Sequence, residues 1–86
     1  DVPGPGFFNR FGYALLQKEK KPEWALEIFK LNTTLFPKNS NLFDSLGEGY
    51  MALGDTKNAI AELEKAVQLD SRNENAKRKL DELKKK

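Results

Sequence analysis

The chain reads as an all-α fold of antiparallel helix-turn-helix hairpins, and three features of the sequence point there. Apolar residues recur every three or four positions through most of the 86 residues. Residues 40–73 repeat, over 34 positions, a looser pattern that begins near Phe8. The period-two alternation of a strand is missing throughout. A hairpin of two helices cannot bury its apolar face alone. Repeated hairpins therefore stack, and a stack leaves a concave surface suited to another polypeptide.

Residues 1–6 hold two Pro and two Gly without periodicity and read as linker, which leaves residues 7–86 as a single domain. Phe8, Phe11, Leu15 and Leu16 give the first helix its stripe, and residues 18–21 form a polar break. Pro22 suits the first turn of the second helix, where its missing N–H costs nothing. Trp24, Ala25, Ile28, Phe29 and Leu35 continue the stripe until Pro37, which pushes its predecessor out of the helical region. Ser40 or Asn39 caps the third helix, whose apolar face is Leu42, Phe43, Leu46, Tyr50 and Leu53. Gly54-Asp55 supplies a stop and the next cap. Ala59, Ile60, Leu63, Ala66, Val67 and Leu69 mark the fourth helix. Ser71 with Glu74 offers a capping box, with Asn73 as a rival cap, before a sparser fifth helix on Ala76, Leu80 and Leu83. Repeat one spans residues 7–38, repeat two 40–73, and a cap helix 74–86.

Composition narrows the function classes. An apolar content of 38% is too high for disorder at 33% charged residues. A chain this short buries only about 60–65% of its unfolded surface, so its stability is modest. Without Cys there is no disulfide framework or thiolate site, and the redox compartment stays undecided. Without His the commonest general base and metal ligand is missing. No apolar run approaches about 18 residues, so no membrane span is expected. The start at Asp1, with no basic segment and apolar core behind it, reads as a piece of a longer protein. Net charge is +2, yet residues 72–86 carry seven Lys/Arg against three Asp/Glu, so the basic character is local.

The pattern of residues 40–73 resembles the tetratricopeptide repeat family. It matches through Phe43, Leu46-Gly47, Tyr50, Gly54, Ala59, Leu63 and Ala66, with Ser71 where the family usually has Pro. Gly47 and Ala59 stand where two helices approach most closely, and Phe43, Tyr50 and Leu63 fill the space beside them. Phe8, Phe11-Gly12, Leu15, Ala25, Phe29 and Pro37 carry the same pattern more loosely, with Asn32 in place of a small Ala. Gly12 to Gly47 is 35 residues but Ala25 to Ala59 is 34, which places one extra residue in the first inter-helix turn, within residues 19–23. The resemblance implies a right-handed α-solenoid of two hairpins and a cap helix, acting as a protein–protein interaction or scaffold module. Strings such as Phe11-Gly12-Tyr13-Ala14-Leu15-Leu16 and Asp44-Ser45-Leu46-Gly47-Glu48 are also similar to a repeat pair appended to bacterial serine hydrolases and esterases. That likeness implies an accessory domain beside a catalytic one.

Projecting the family pattern lines the inner face with Asn9, Tyr13, Leu16 and Gln17 from repeat one. Asn41, Asp44, Glu48 and Met51 follow from repeat two, then Arg78 and Glu82 from the cap helix. Tyr13 and Met51 offer adaptable apolar contacts, and the Asn side chains suit a peptide backbone. The occupant is a peptide, the parent domain or a second copy. Two carboxylates there disfavour the chaperone carboxylate that some family members grip, and favour a basic or amide-rich ligand. As a catalytic pair Asp44 and Glu48 lack a His and a dry cleft, so no enzyme activity, cofactor or metal is expected. Asp44 is expected to hydrogen-bond Asn32, and Trp24 to pack on the neighbouring turn. Exposed Phe7 and Phe8 predict self-association, by a sticky face or an exchanged hairpin. The alternative function is contact with nucleic acid or an anionic surface through residues 72–86, which Asp81 and Glu82 interrupt.

Overall fold

The structure, a computed structural model, describes residues 3–85. All regular structure there is helical: α1 (Pro5–Tyr13) runs into a π-helical turn (Ala14–Lys18), followed by α2 (Pro22–Leu35), α3 (Ser40–Ala52), α4 (Thr56–Leu69) and α5 (Glu74–Lys84). Among the described residues there are five α-helices. Each helix packs on the next in sequence, and α1 also touches α3.

Local chemistry sets the boundaries. Pro5 and Pro22 occupy first turns. The first helix therefore begins inside the segment read as linker, and Asp1 and Val2 of that segment lie outside the described residues. Asn39, not Ser40, caps α3 by accepting from the Asn41 N–H. Asn73, not Ser71, caps α5 by accepting from the Ala76 N–H. Asp55 caps α4 through the Asn58 N–H. Gly54 turns the chain at φ 76°, a corner that glycine takes without strain.

These signals recur with one period. The caps Asn39 and Asn73 stand 34 residues apart, as do the first residues of α2 and α4, Pro22 and Thr56. The positive-φ corners Lys20 (φ 55°) and Gly54 obey the same spacing. The extra residue of the first hairpin therefore lies between Gly12 and Lys20, a span that meets the expected residues 19–23 only at Glu19 and Lys20. It is absorbed by the π turn, where the Glu19 N–H reaches back five residues to the Ala14 carbonyl at 3.1 Å.

Two apolar clusters form the core. One gathers Leu15, Ala25, Leu26, Phe29 and Leu46; the other gathers Phe43, Ala59, Leu63, Ala66, Ala76, Leu80 and Leu83, and Tyr50 packs against both. Glycine allows the closest approaches. A Cβ on Gly47 would lie 2.7 Å from Leu63 Cγ and 3.4 Å from the Ala59 carbonyl oxygen, and one on Gly12 would strike the Phe29 ring. The two hairpins are pinned by one hydrogen bond with exchanged roles. Ser40 Oγ donates to the Ala66 carbonyl at 2.7 Å, whereas Asn32 Nδ2 donates to the Pro5 carbonyl at 3.0 Å. Pro5 lies 35 residues before Ser40 and has no side-chain donor, so the Asn32 amide on α2 supplies it. Asn32 is thus tied to Pro5 and not to Asp44 as expected.

Candidate interaction groove

α3 carries Asp44 and Glu48 one turn apart on the same face. α1 brings Tyr13 to that face, and α5 brings Lys79. The Tyr13 hydroxyl donates to Glu48 Oε1 at 3.2 Å. Lys79 Nζ donates to Asp44 Oδ1 and to Glu48 Oε1, each at 2.8 Å. Three helices that are not consecutive in sequence are therefore joined by one polar network. The network is only part-buried: the Lys79 side chain is 19% exposed, Asp44 10% and Glu48 31%.

Its electrostatics follow from that burial. Desolvation pulls the Lys79 ammonium toward a lower pKa, but the hydrogen bonds and charges of Asp44 and Glu48 outweigh it, leaving the group above its ordinary 10.5. Burial pushes the Tyr13 phenol above 10.0; Ser45 works against the shift and the Glu48 charge adds to it. Two carboxylates share one ammonium, so the cluster keeps an excess negative charge, with Glu48 its most exposed member. Such a surface can accept hydrogen bonds from cationic or amide donors.

The other inner-face candidates are placed differently. Leu16 and Met51 are half-buried against the two core clusters. Asn41 is exposed at the helix-cap junction, its Oδ1 3.5 Å from Asn73 Nδ2. Asn9 is half-buried with Oδ1 lacking a hydrogen-bond partner. Gln17 is exposed at the end of the π turn, and Glu82 is exposed on α5. Arg78 is exposed and donates to Asn75 Oδ1 at 3.1 Å, outside the network. Lys79 is the residue that sequence reasoning missed. Two carboxylates one turn apart call for a cation, and α5 was the next helix able to supply one. Trp24 also departs from expectation: it is 61% exposed, with Lys21 Nζ 4.3 Å above its ring.

A separate open groove of about 720 Å³ lies between the α2–α3 loop and the α4–α5 turn, lined by Leu35, Pro37, Lys38, Asn41, Leu69 and Arg72 among others. Among the described residues no three acidic, histidine or cysteine side chains gather as metal ligands, and no helix is long and apolar enough to cross a membrane. No known family model matches the chain, and no curated protein matches it in sequence.

Proposed function

We propose that the chain is a protein-interaction module of the tetratricopeptide type, two stacked hairpins and a cap helix in a right-handed solenoid, that receives a basic or amide-rich peptide segment in the groove formed by α1, α3 and α5. The observation that carries this reading is the Tyr13–Glu48–Lys79–Asp44 network. It holds three helices in register while leaving the Glu48 carboxylate partly open, with one negative charge in excess. The shared 34-residue spacing of caps and corners supports the repeat assignment. The short strings that resemble hydrolase-appended repeats make a catalytic parent domain the second candidate occupant.

Asp44 and Glu48 are assigned to architecture and recognition, not to acid–base chemistry, because a lysine from another helix already engages both. The basic strip of residues 72–86 is the weaker surface. Arg72, Lys77 and Lys84 each pair with an acidic neighbour, and Lys79 is turned into the groove. A fluorescence-anisotropy titration tests the reading with two labelled nonapeptides, one rich in Arg and Asn and one in which Glu replaces Arg. The first should bind and weaken on Glu48→Gln, while the second should not bind. Equal binding of both peptides, or indifference to Glu48→Gln, contradicts it.

A further inference from the structure

Each hairpin ends in the same kind of turn. Residues 36–39 close between α2 and α3, and residues 70–73 close between α4 and α5. In each an Asn N–H donates to the carbonyl three residues back, Asn39 to Phe36 at 3.3 Å and Asn73 to Asp70 at 3.1 Å. Each turn follows a helix whose last residue is Leu, Leu35 or Leu69, and each carries a cation just before its Asn, Lys38 or Arg72. The order Leu, two residues, cation, Asn therefore occurs twice, 34 residues apart. The open groove of about 720 Å³ lies between these two turns.

The groove has apolar walls and a net positive charge. Leu35 and Leu69 line it, are 47% and 39% exposed, and belong to neither core cluster. Its charged residues are Lys38, Asp70 and Arg72. Asp70 and Arg72 neutralise each other: Asp70 Oδ1 accepts from the Arg72 backbone N–H at 2.9 Å and from Arg72 Nε at 3.2 Å. The two terminal nitrogens of Arg72 donate to no other group among the described residues, and Lys38 has no ion pair there. The balance is +1, set by Lys38. Helix ends do not supply it, because α2 and α4 end at the groove while α3 begins there. The two turns are also held together. Ser40 Oγ donates to the Ala66 carbonyl at 2.7 Å and accepts from Asn73 Nδ2 at 2.9 Å, so the walls stand in place before any ligand arrives.

We propose that this groove binds a short acidic segment of a partner polypeptide. Apolar side chains of the segment cover Leu35 and Leu69, and carboxylates beside them meet Lys38 and the terminal nitrogens of Arg72. Charge complementarity selects this occupant. A basic segment would bring like charge to Lys38, and a bare anion would leave both leucines in water. The repeated order of Leu and cation suits a segment that itself alternates apolar and acidic residues. The inner groove of α1, α3 and α5 takes the opposite charge. Of the inner-face candidates Asn41 alone lines the turn groove, so the two proposals stand or fall separately.

The experiment is a fluorescence-anisotropy titration of the 86-residue chain with a labelled nonapeptide that alternates Leu and Glu. Two further nonapeptides serve as controls, one alternating Leu and Ser and one made of Glu and Asn. The Leu/Glu peptide should bind, more weakly as salt rises, and both controls should fail to bind. Lys38→Glu turns the groove from +1 to −1 and should weaken the Leu/Glu peptide by at least about fivefold, while binding of the Arg- and Asn-rich peptide stays unchanged. Leu69→Ser should weaken it as well. Both positions are exposed, and if Leu69→Ser fails to fold, Lys38→Glu still decides. Equal binding of the Glu/Asn or Leu/Ser control overturns the proposal, as does indifference to Lys38→Glu. Absence of Leu/Glu binding overturns it too; a doubled mass by light scattering that Lys38→Glu abolishes would then give the groove to a second copy of the chain.

Discussion

Gly47→Ala and Gly6→Ala make the same chemical change in two environments, and their difference measures the close approach of α3 to α4. At Gly6 the new methyl would meet only Arg10 Nη1, at 3.4 Å, on an exposed turn. Relief of glycine's backbone entropy should then dominate, a gain of up to about 0.5–1 kcal/mol. At Gly47 the methyl would sit 2.7 and 2.9 Å from Leu63 Cγ and Cδ2 and 3.4 Å from the Ala59 carbonyl oxygen. Leu63 is fully buried among Ala59, Ala66 and Phe43. Overpacking of this kind costs about 1–3 kcal/mol, which cancels or exceeds the same entropy gain. The two variants should therefore differ by about 1–3 kcal/mol, and at about 4–8 °C per kcal/mol should melt at least about 4 °C apart. Thermal unfolding followed by circular dichroism reads this directly. A Gly47→Ala melting temperature equal to or above that of Gly6→Ala would refute both the packing assigned to Leu63 and the register that brings α3 onto α4.

Lys79→Met should cost about 1–3 kcal/mol in chemical denaturation, because it leaves Asp44 and Glu48 part-buried without their cation; an unchanged midpoint would show the network to be ornamental. Alkaline pH should act on the same network. Folded Lys79 and folded Tyr13 both lie above their ordinary values of 10.5 and 10.0, so their contribution is fully present below about pH 10 and is lost as pH rises through the folded values. Melting temperature should therefore fall above about pH 10, and fall less steeply in Lys79→Met; identical slopes would contradict the assignment. Asn73→Ala should cost more than Asn39→Ala. Each loses a cap worth about 0.5–2 kcal/mol, but Asn73 Nδ2 also donates to Ser40 Oγ, at 2.9 Å, on the hydroxyl that pins α3 to α4. Equal losses on denaturation would count against that junction.

The helix boundaries were legible where a single residue carries the signal. Pro22 and Pro37 restrict the backbone locally, and Gly54-Asp55 combines a positive-φ corner with a cap, so each boundary follows without tertiary information. The close approaches at Gly12 and Gly47 were legible from repetition, since both sit opposite a large residue of the next helix, Phe29 or Leu63. The position of the extra residue was not legible. Periodicity reveals that an insertion exists between Gly12 and Ala25 but not whether a turn or a widened helix absorbs it. Lys79 escaped for a related reason. Projection from repeat two places Arg78 at the Asp44 position, yet it is Lys79 whose four-carbon stem carries its ammonium to the two carboxylates. Which of adjacent α5 residues crosses to α3 depends on helix rotation, which local pattern does not encode. Trp24 was expected to pack because large aromatics usually do; its counterpart Asn58 marks the position as outward-facing.

The most direct test of the interaction reading is an amide chemical-shift map of the chain titrated with the Arg- and Asn-rich nonapeptide. The account predicts that the largest shifts fall on Tyr13, Asp44, Glu48 and Lys79, on three separate helices, and that the α4 residues Asn58 and Lys65 stay still. Shifts confined to residues 72–85, or spread without regard to the α1–α3–α5 face, would contradict it.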